Sequence, residues 1–274
     1  MTHFTDPTYL RDEQYKTPSN LTARADLHRR FSTAPGSWAK WEMDQFDLQP
    51  GERVLEAGGG PGWLWRANRG RLPAGVRVCF TDFSPGMVQA ARAGLAGVSS
   101  FDFANADVQH LPLPASTFHL VIANHMLYHV PDLPRAVVEF ARILRPAGRL
   151  CAATNGAKHM TEFYALVHEF DARYPAPEQI VNDIKYRLEN AAAWLSPAFA
   201  RVEVRRWSDT LLVTEAEALV DYAVSTTAAG SLAGTGWADG LRAFFQSHLD
   251  KTGGIQITKD MGVVLAWLNV WSSK

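Results

Sequence analysis

Cysteine is nearly absent: Cys79 and Cys151 are the two in 274 residues. That excludes a small scaffold stapled by disulfides and points to a reducing, cytoplasmic setting with free thiols. A charge excess of either sign is also missing. Lys and Arg number 27 and Asp and Glu 28, for a net charge of −1. With no basic block, the electrostatic footprint of a nucleic-acid binder is lacking. No apolar run approaches the length of a membrane span, and Met1-Thr2-His3-Phe4-Thr5-Asp6 lacks the pattern of a signal peptide. Internal repeats and low-complexity segments are absent as well. What is present is a 47% hydrophobic chain, enough for one sizeable core with an appendage.

The densest information lies in V-L-E-A-G-G-G-P-G-W-L-W, Val54 to Trp65. Val54-Leu55 ends a short apolar run, as a buried strand does. Gly58, Gly59, Gly60 and Gly62 follow, and Trp63 onward can be helical. A turn with almost no side chain at a strand-to-helix junction lets a ligand lie on the backbone, and a nucleoside is its usual tenant. The dinucleotide fingerprint needs Gly or Ala at position 63, where Trp63 stands, and the P-loop's G-K-[ST] is missing. What remains is acid-x-G-x-G-x-G, carried by Glu56, Gly58, Gly60 and Gly62. Here the chain resembles the class I S-adenosylmethionine-dependent methyltransferases, over about its first 155 residues.

The rest of the pattern agrees. Strands are expected at 53–56, 76–81, 100–104, 118–124 and 149–154. Helices are expected at 63–71, 84–96 and 134–144 between them. Such βα alternation predicts a doubly wound, mostly parallel sheet with its ligand at the carboxyl ends of the strands. Residues 8 to 48 read as helical, with starts at Pro18-Ser19-Asn20 and Pro35-Gly36-Ser37. After Asn155, helices are expected at 158–173, 183–195, 215–226 and 237–251, and strands at 200–212 and 254–268. The resemblance implies a seven-stranded sheet ending in an antiparallel pair, with insertions 156–195 and 213–252 covering the substrate. The expected organisation is an N-terminal helical lid (1–48), a cofactor-binding α/β core (49–155), and cap helices with the final strands (156–274). Cys79 and Cys151 would then lie three strands apart, roughly 14 Å, too far for a disulfide.

The resemblance assigns the cofactor, S-adenosylmethionine, and its product, S-adenosylhomocysteine. Asp82, ending strand two, would accept the ribose hydroxyl protons. Asp107, in N-A-D-V-Q-H-L-P, would accept the adenine amino proton, with Phe83, Met87, Ala106 and Val108 as its walls. Ala57, Gly58, Gly59, Gly60, Asn124 and His125 would complete the cofactor's bed. Glu56 would lie near the methionine ammonium, or equally bond the loop amides. In the N-terminal stretch, Tyr15 would approach the sulfonium and Arg24 the methionine carboxylate. Helix packing with solvated charges is the competing account of that stretch.

Strand four ends Asn124-His125-Met126-Leu127-Tyr128-His129. The N/D-P-P-Y motif of amide and nucleobase methylation is missing, which turns the resemblance toward small-molecule enzymes. Two histidines four apart suggest zinc, but H-E-x-x-H lacks its Glu here, so no metal is expected. Glu56, His125 and His129 are the candidate catalytic groups, since an imidazole titrates near working pH. Packing of the loop beneath the cofactor is the competing, and slightly stronger, account of His129. Tyr9, Tyr15, Tyr128, His129, Phe163 and Trp237 are the candidate substrate contacts, nine tryptophans suiting a flat aromatic ligand. The pattern Y-x-x-x-x-Q-Y-K with N-L-x-A-R looks most like bacterial methyltransferases of secondary metabolism acting on indole alkaloids. The implied acceptor is a small, aromatic or indole-like molecule, methylated on carbon of an indole or pyrroloindoline ring. Transfer to O or N of another metabolite, a non-catalytic S-adenosylmethionine binder and an NAD oxidoreductase are the alternatives. No nucleic acid or membrane partner is expected, and homo-oligomerisation stays open.

Overall fold

The computed structural model describes residues 3–232 and 235–268. Seven strands form one sheet: β1 (Arg53–Ala57), β2 (Arg77–Asp82), β3 (Phe101–Asn105), β4 (Phe118–Ile122), β5 (Leu144–Asn155), β6 (Arg201–Val213) and β7 (Ile255–Trp267), in the order β3-β2-β1-β4-β5-β7-β6. The first five run parallel, and β7 is antiparallel to both β5 and β6. The expected doubly wound sheet is therefore present. Its central strands are buried on both faces, which is why β1 and β4 carry adjacent apolar residues, Val54-Leu55 and Leu120-Val121-Ile122. The outer strand β6 carries Arg201, Glu203, Arg205 and Arg206, charges that discourage edge-to-edge pairing.

Among the described residues the α-helices are α1 (Pro7–Tyr9), α2 (Ser19–Phe31), α3 (Trp38–Gln45), α4 (Trp63–Ala67), α5 (Pro85–Gly94), α6 (Leu133–Ile143), α7 (Thr161–Phe170), α8 (Pro177–Asp183), α9 (Ala191–Leu195), α10 (Ala216–Ser225) and α11 (Thr235–Thr252). The clearest of them is α6. Leu133, Ala136, Val137, Phe140 and Ile143 recur at helical spacing and pack on the sheet. Asp132 caps it by accepting from the Arg135 N–H at 3.0 Å, and a proline occupies its first turn.

The hydrophobic interior forms three clusters. Two lie on opposite faces of the sheet. The third joins the far halves of β6 and β7, through Leu211, Val213, Ile255 and Ile257, to α2, α7, α10 and α11. It gives the segments inserted around β6 a core of their own.

Local differences from the expected elements have identifiable causes. Of the expected 183–195 helix only Ala191–Leu195 forms, as α9, and Asp183 is the last residue of α8. The chain leaves helix after Asp183, where the Arg187 guanidinium donates to the Ile184 carbonyl at 2.9 Å, and re-enters at Ala191. The helix after the glycine loop stops at Ala67, where the Asn68 amide turns back to the Leu64 carbonyl at 2.9 Å. Strand β5 starts at Leu144, before the Pro146-Ala147-Gly148 turn. A register irregularity against β4 absorbs the turn, with Ala147 at φ 60. The N-terminal stretch continues from α1 into a π-helical turn, Leu10–Gln14. Cys79 on β2 and Cys151 on β5 are free thiols three strands apart. Among the described residues no helix is long and apolar enough to cross a membrane.

Candidate functional site

A cavity of about 760 Å³ opens at the carboxyl ends of the parallel strands, beneath α2 and the N-terminal turn. The glycine loop forms its floor. Gly58, Gly60 and Gly62 have φ of +66, +58 and +74, the left-handed region. At Gly59 a Cβ would stand 2.4 Å from the Phe80 ring, so no larger residue fits. Asp82 closes the next corner. Its Oδ2 accepts from the Gly60 N–H at 2.8 Å and its Oδ1 from the Ser84 N–H at 2.8 Å. Burial pushes its carboxyl up to about 6, against those backbone donors. Each carboxylate oxygen keeps acceptor capacity toward the cavity.

Asp107 lies on the wall beyond β3. It accepts from the Gln109 N–H at 2.9 Å, and from the Gln109 side-chain amide at 3.0 and 3.2 Å. Phe83, Met87, Ala106 and Val108 line the same part of the cavity. Phe83 is a large apolar ring left 38% exposed, as a platform for a flat ligand would be.

Two buried carboxyls and one guanidinium line the cavity near the loop. Glu56, on β1, accepts from the Trp65 indole N–H. Burial raises it to about 8, the Trp65 bond opposing and Asp82 adding to the rise. Glu42, on α3, is 4% exposed, and its Oε1 has no hydrogen-bond partner. Arg24, on α2, donates from Nε to the Asn20 carbonyl at 3.2 Å, while its enclosed Nη2 has no partner.

The other end of the cavity is lined by histidines. His125, just past β4, has φ 51, a strained conformation for a non-glycine residue. His28 from α2 and His159 after β5 face it, their rings 5.6 Å apart and each Nδ1 unpartnered. Burial holds His125 down to about 4 and His159 to about 3. The nearby Lys259 adds to both, and His125 acts on His159 too. All three imidazoles are therefore neutral near pH 7. Lys259 is itself buried and bonded to Asp209 at 2.7 Å. Trp38, Tyr128, Asn155 and Tyr222 complete the lining. Among the described residues no group of three or more His, Cys, Asp or Glu is placed to hold a metal ion.

His129 has a different placement from His125. Its Nε2 meets the Tyr15 hydroxyl at 2.8 Å and its Nδ1 the Phe4 carbonyl at 2.8 Å, so both ring nitrogens are taken. It fastens the N-terminal segment over the cavity. The Ser84 hydroxyl donates to the Tyr15 carbonyl at 2.8 Å, and the Gln14 amide to the Ser225 carbonyl at 3.0 Å. The segment also crosses so close to α5 that a Cβ on Gly86 would stand 2.0 Å from the Lys16 carbonyl oxygen. Replacing His129 by Ala should release two bonds worth about 1 kcal/mol each. The released population should then rise roughly 30-fold, read as faster limited proteolysis within residues 3–18. An unchanged cleavage rate would remove His129 as a fastening.

Of the residues expected at the site, Tyr15, Arg24, Glu56, Gly58, Gly59, Gly60, Asp82, Phe83, Met87, Ala106, Asp107, Val108, Asn124, His125, Tyr128 and His129 all line this cavity. Four do not. Ala57 is wholly buried in the sheet's core. Tyr9 turns its hydroxyl to the Gln14 side-chain oxygen at 3.3 Å instead. Phe163 is wholly buried in the third cluster, against Tyr222 and Phe245. Trp237 packs on Phe170 and donates to Asp171 at 3.0 Å. The aromatic residues of α7 and α11 fill the inserted segments' own core rather than the ligand space. Conversely, His28 on α2, Trp38 and Glu42 on α3, His159 after β5 and Lys259 on β7 also reach the cavity.

Comparison with known proteins places this geometry. Residues 55–152 match the methyltransferase domain family. A malonyl-[acyl-carrier protein] O-methyltransferase of Serratia marcescens is 33% identical over 142 residues, 48% of this chain and 53% of that protein. A ubiquinone/menaquinone biosynthesis C-methyltransferase of Teredinibacter turnerae is 32% identical over 117 residues, 41% of this chain and 47% of that protein. The chain thus spans about half the length of these curated relatives. A phosphoethanolamine N-methyltransferase of Haemonchus contortus, solved with S-adenosylhomocysteine and phosphomonomethylethanolamine, superposes with a TM-score of 0.59. The identity is 19%, over 97% of this chain and 60% of that one. The fold is that of class I methyltransferases, with β7 antiparallel. The three names span oxygen, carbon and nitrogen acceptors, so the likeness does not select the nucleophile.

Proposed function

We propose that this chain, through the methyltransferase domain over residues 55–152, moves a methyl group from S-adenosylmethionine to a small, aromatic or indole-like acceptor of secondary metabolism. The observation that carries the cofactor is the orphaned Nη2 of Arg24, a buried positive group facing the same cavity as the glycine loop and Asp82. A carboxylate is the ligand group that answers it. The residues present fit the rest: Asp82 for the ribose hydroxyls, Asp107 for the adenine amino group, Phe83 and Met87 for the ring faces.

When bound, the cofactor supplies an electrophilic methyl carbon on sulfur. The chain's work is then alignment and exclusion of water. The fastened N-terminal segment covers the cavity, and Trp38, Tyr128 and Tyr222 offer aromatic walls to a flat acceptor. Neutral His125, at the end of β4, can accept a hydrogen bond from an acceptor N–H or O–H as charge develops there. His28 and His159 each hold a further free Nδ1 for the same purpose. The clasped His129 is the weakest of the catalytic candidates, since both its nitrogens are engaged.

The test is a binding titration followed by turnover. S-adenosylhomocysteine should raise the melting temperature by linkage, and NAD should not. Methyl-labelled S-adenosylmethionine offered with a panel of indoles should then yield labelled product. A shift with NAD alone would overturn the cofactor. Binding without transfer to any indole would overturn the acceptor class.

A further inference from the structure

Glu42 is unexplained by the assignments above. It sits on α3, outside the glycine motif, yet its carboxyl lines the cavity with a wholly enclosed, unpartnered Oε1. An unpaired acceptor in such a place is costly unless a ligand answers it. The neighbouring acid, Glu56, is already bonded through Oε2 to Trp65. Its carboxyl lies under the loop, where a Cβ on Gly59 would stand 2.8 Å from it. Helix α3 is held beside α4 by the Asn68 amide, which donates to the Ala39 carbonyl at 2.8 Å. Two carboxyls from different elements therefore converge next to the backbone on which the cofactor's amino-acid end is proposed to lie.

We propose that Glu42 is a direct acceptor for the α-ammonium of the cofactor, and that one proton leaves the Glu42–Glu56 pair as that ammonium enters. The inference rests on the cofactor proposed above. The titratable groups facing the pair are few. Glu56 and then Cys151 lie around Glu42, the Trp38 ring beside it acts to lower it, and Asp82 stands behind Glu56. No cation contributes to the balance of either carboxyl. Burial, with Glu56's charge adding, raises Glu42 well above the usual carboxylate range; burial raises Glu56 to about 8. Near pH 7 Glu56 of the free protein thus holds its proton, and Glu42 is pushed in the same direction. An entering ammonium brings one positive charge. The site matches it by ionising one carboxyl, and the proton goes to solvent. No bond to the ligand forms or breaks.

Calorimetry of the intact chain with S-adenosylhomocysteine, in buffers of different ionisation enthalpy, counts that proton. About one should be released per ligand at pH 7, falling toward zero above pH ~9 as the free pair ionises on its own. The analogue lacking the α-amino group should release none. In Glu42→Gln, affinity for S-adenosylhomocysteine should fall 10- to 100-fold while affinity for the deaminated analogue stays within about twofold. Equal loss for both ligands, or a wild-type proton count of zero at pH 7, would overturn the assignment. The wild-type count does not depend on the variant folding. If S-adenosylhomocysteine does not bind at all, the cofactor itself is wrong. Binding without proton release or amino-group discrimination sinks Glu42 alone.

Discussion

Replacing Arg24 by Met should weaken S-adenosylhomocysteine binding by about 2–5 kcal/mol, the cost of truncating one side of an enclosed charge pair. The same change should leave the free protein as stable as before, or more so. The guanidinium is surrounded by Tyr15, Tyr128 and Tyr222, whose rings or hydroxyls are its company in place of an acid. Its stack over the Tyr15 ring, at 5.6 Å, offsets little of the desolvation of a charge. A buried cation without a counter-charge destabilises the empty protein, and a thioether side chain of similar length does not. Opposite signs for affinity and melting temperature are the distinguishing result. Equal affinity in wild type and variant would detach Arg24 from the ligand's carboxylate. A loss of both affinity and stability would mark it as a packing residue.

Removing Asp209 should cost about 3–5 kcal/mol of stability, because it strands a buried charge. Lys259 is 6% exposed and Asp209's side chain 0%. Asp209 also accepts from the Ser32 hydroxyl at 2.7 Å and from the Ala34 N–H at 3.0 Å, so it ties β6 and β7 to the chain after α2. At roughly 2–4 °C per kcal/mol for a chain of this size, Asp209→Ala should melt about 10 °C lower. Asp209→Leu combined with Lys259→Met should recover most of that, since the double change leaves no unpaired charge. Full destabilisation in the double variant would mean that Ser32 and Ala34, not the ion pair, carry the effect. Burial works to raise the Asp209 carboxyl, but Lys259 and Ser32 outweigh it and hold it below its ordinary value. A depressed carboxyl stabilises above its unfolded value and loses that contribution as pH falls through the folded one. The pair should therefore be felt above pH ~4 and fade below it.

The fold was legible where one local rule governed a segment. Val54-Leu55 and Leu120-Val121 are apolar because both faces of their strands are covered, and Gly58 marks where the first of those strands ends. Asp82 and Asp107 were singled out by the family resemblance, and the parallel sheet places both on the wall of one cavity. The Asp183–Leu195 stretch was not legible, since Arg187 and Asn190 satisfy backbone carbonyls that a continuous helix would have used. Phe163 and Trp237 were misplaced for a related reason. Their helical spacing says that they are buried, but not against what. The third hydrophobic cluster appears only when α2 docks on the antiparallel β6–β7 pair. His28, His159, Lys259 and Glu42 share a cavity through tertiary packing alone.

The antiparallel strand β7 also sets a timetable. Its residues Met261–Trp267 are the partners of Asn155–Arg149, so β5 keeps an open edge until the chain has been made past position 267. An unpaired, apolar edge is where nascent chains stick to one another. The glycine loop and Asp82 are synthesised early, yet the sheet that steadies them closes late, through pairings of long sequence separation that form slowly. Stalled chains released before β7 emerges should therefore aggregate, even though they carry every residue proposed to hold the cofactor's nucleoside end.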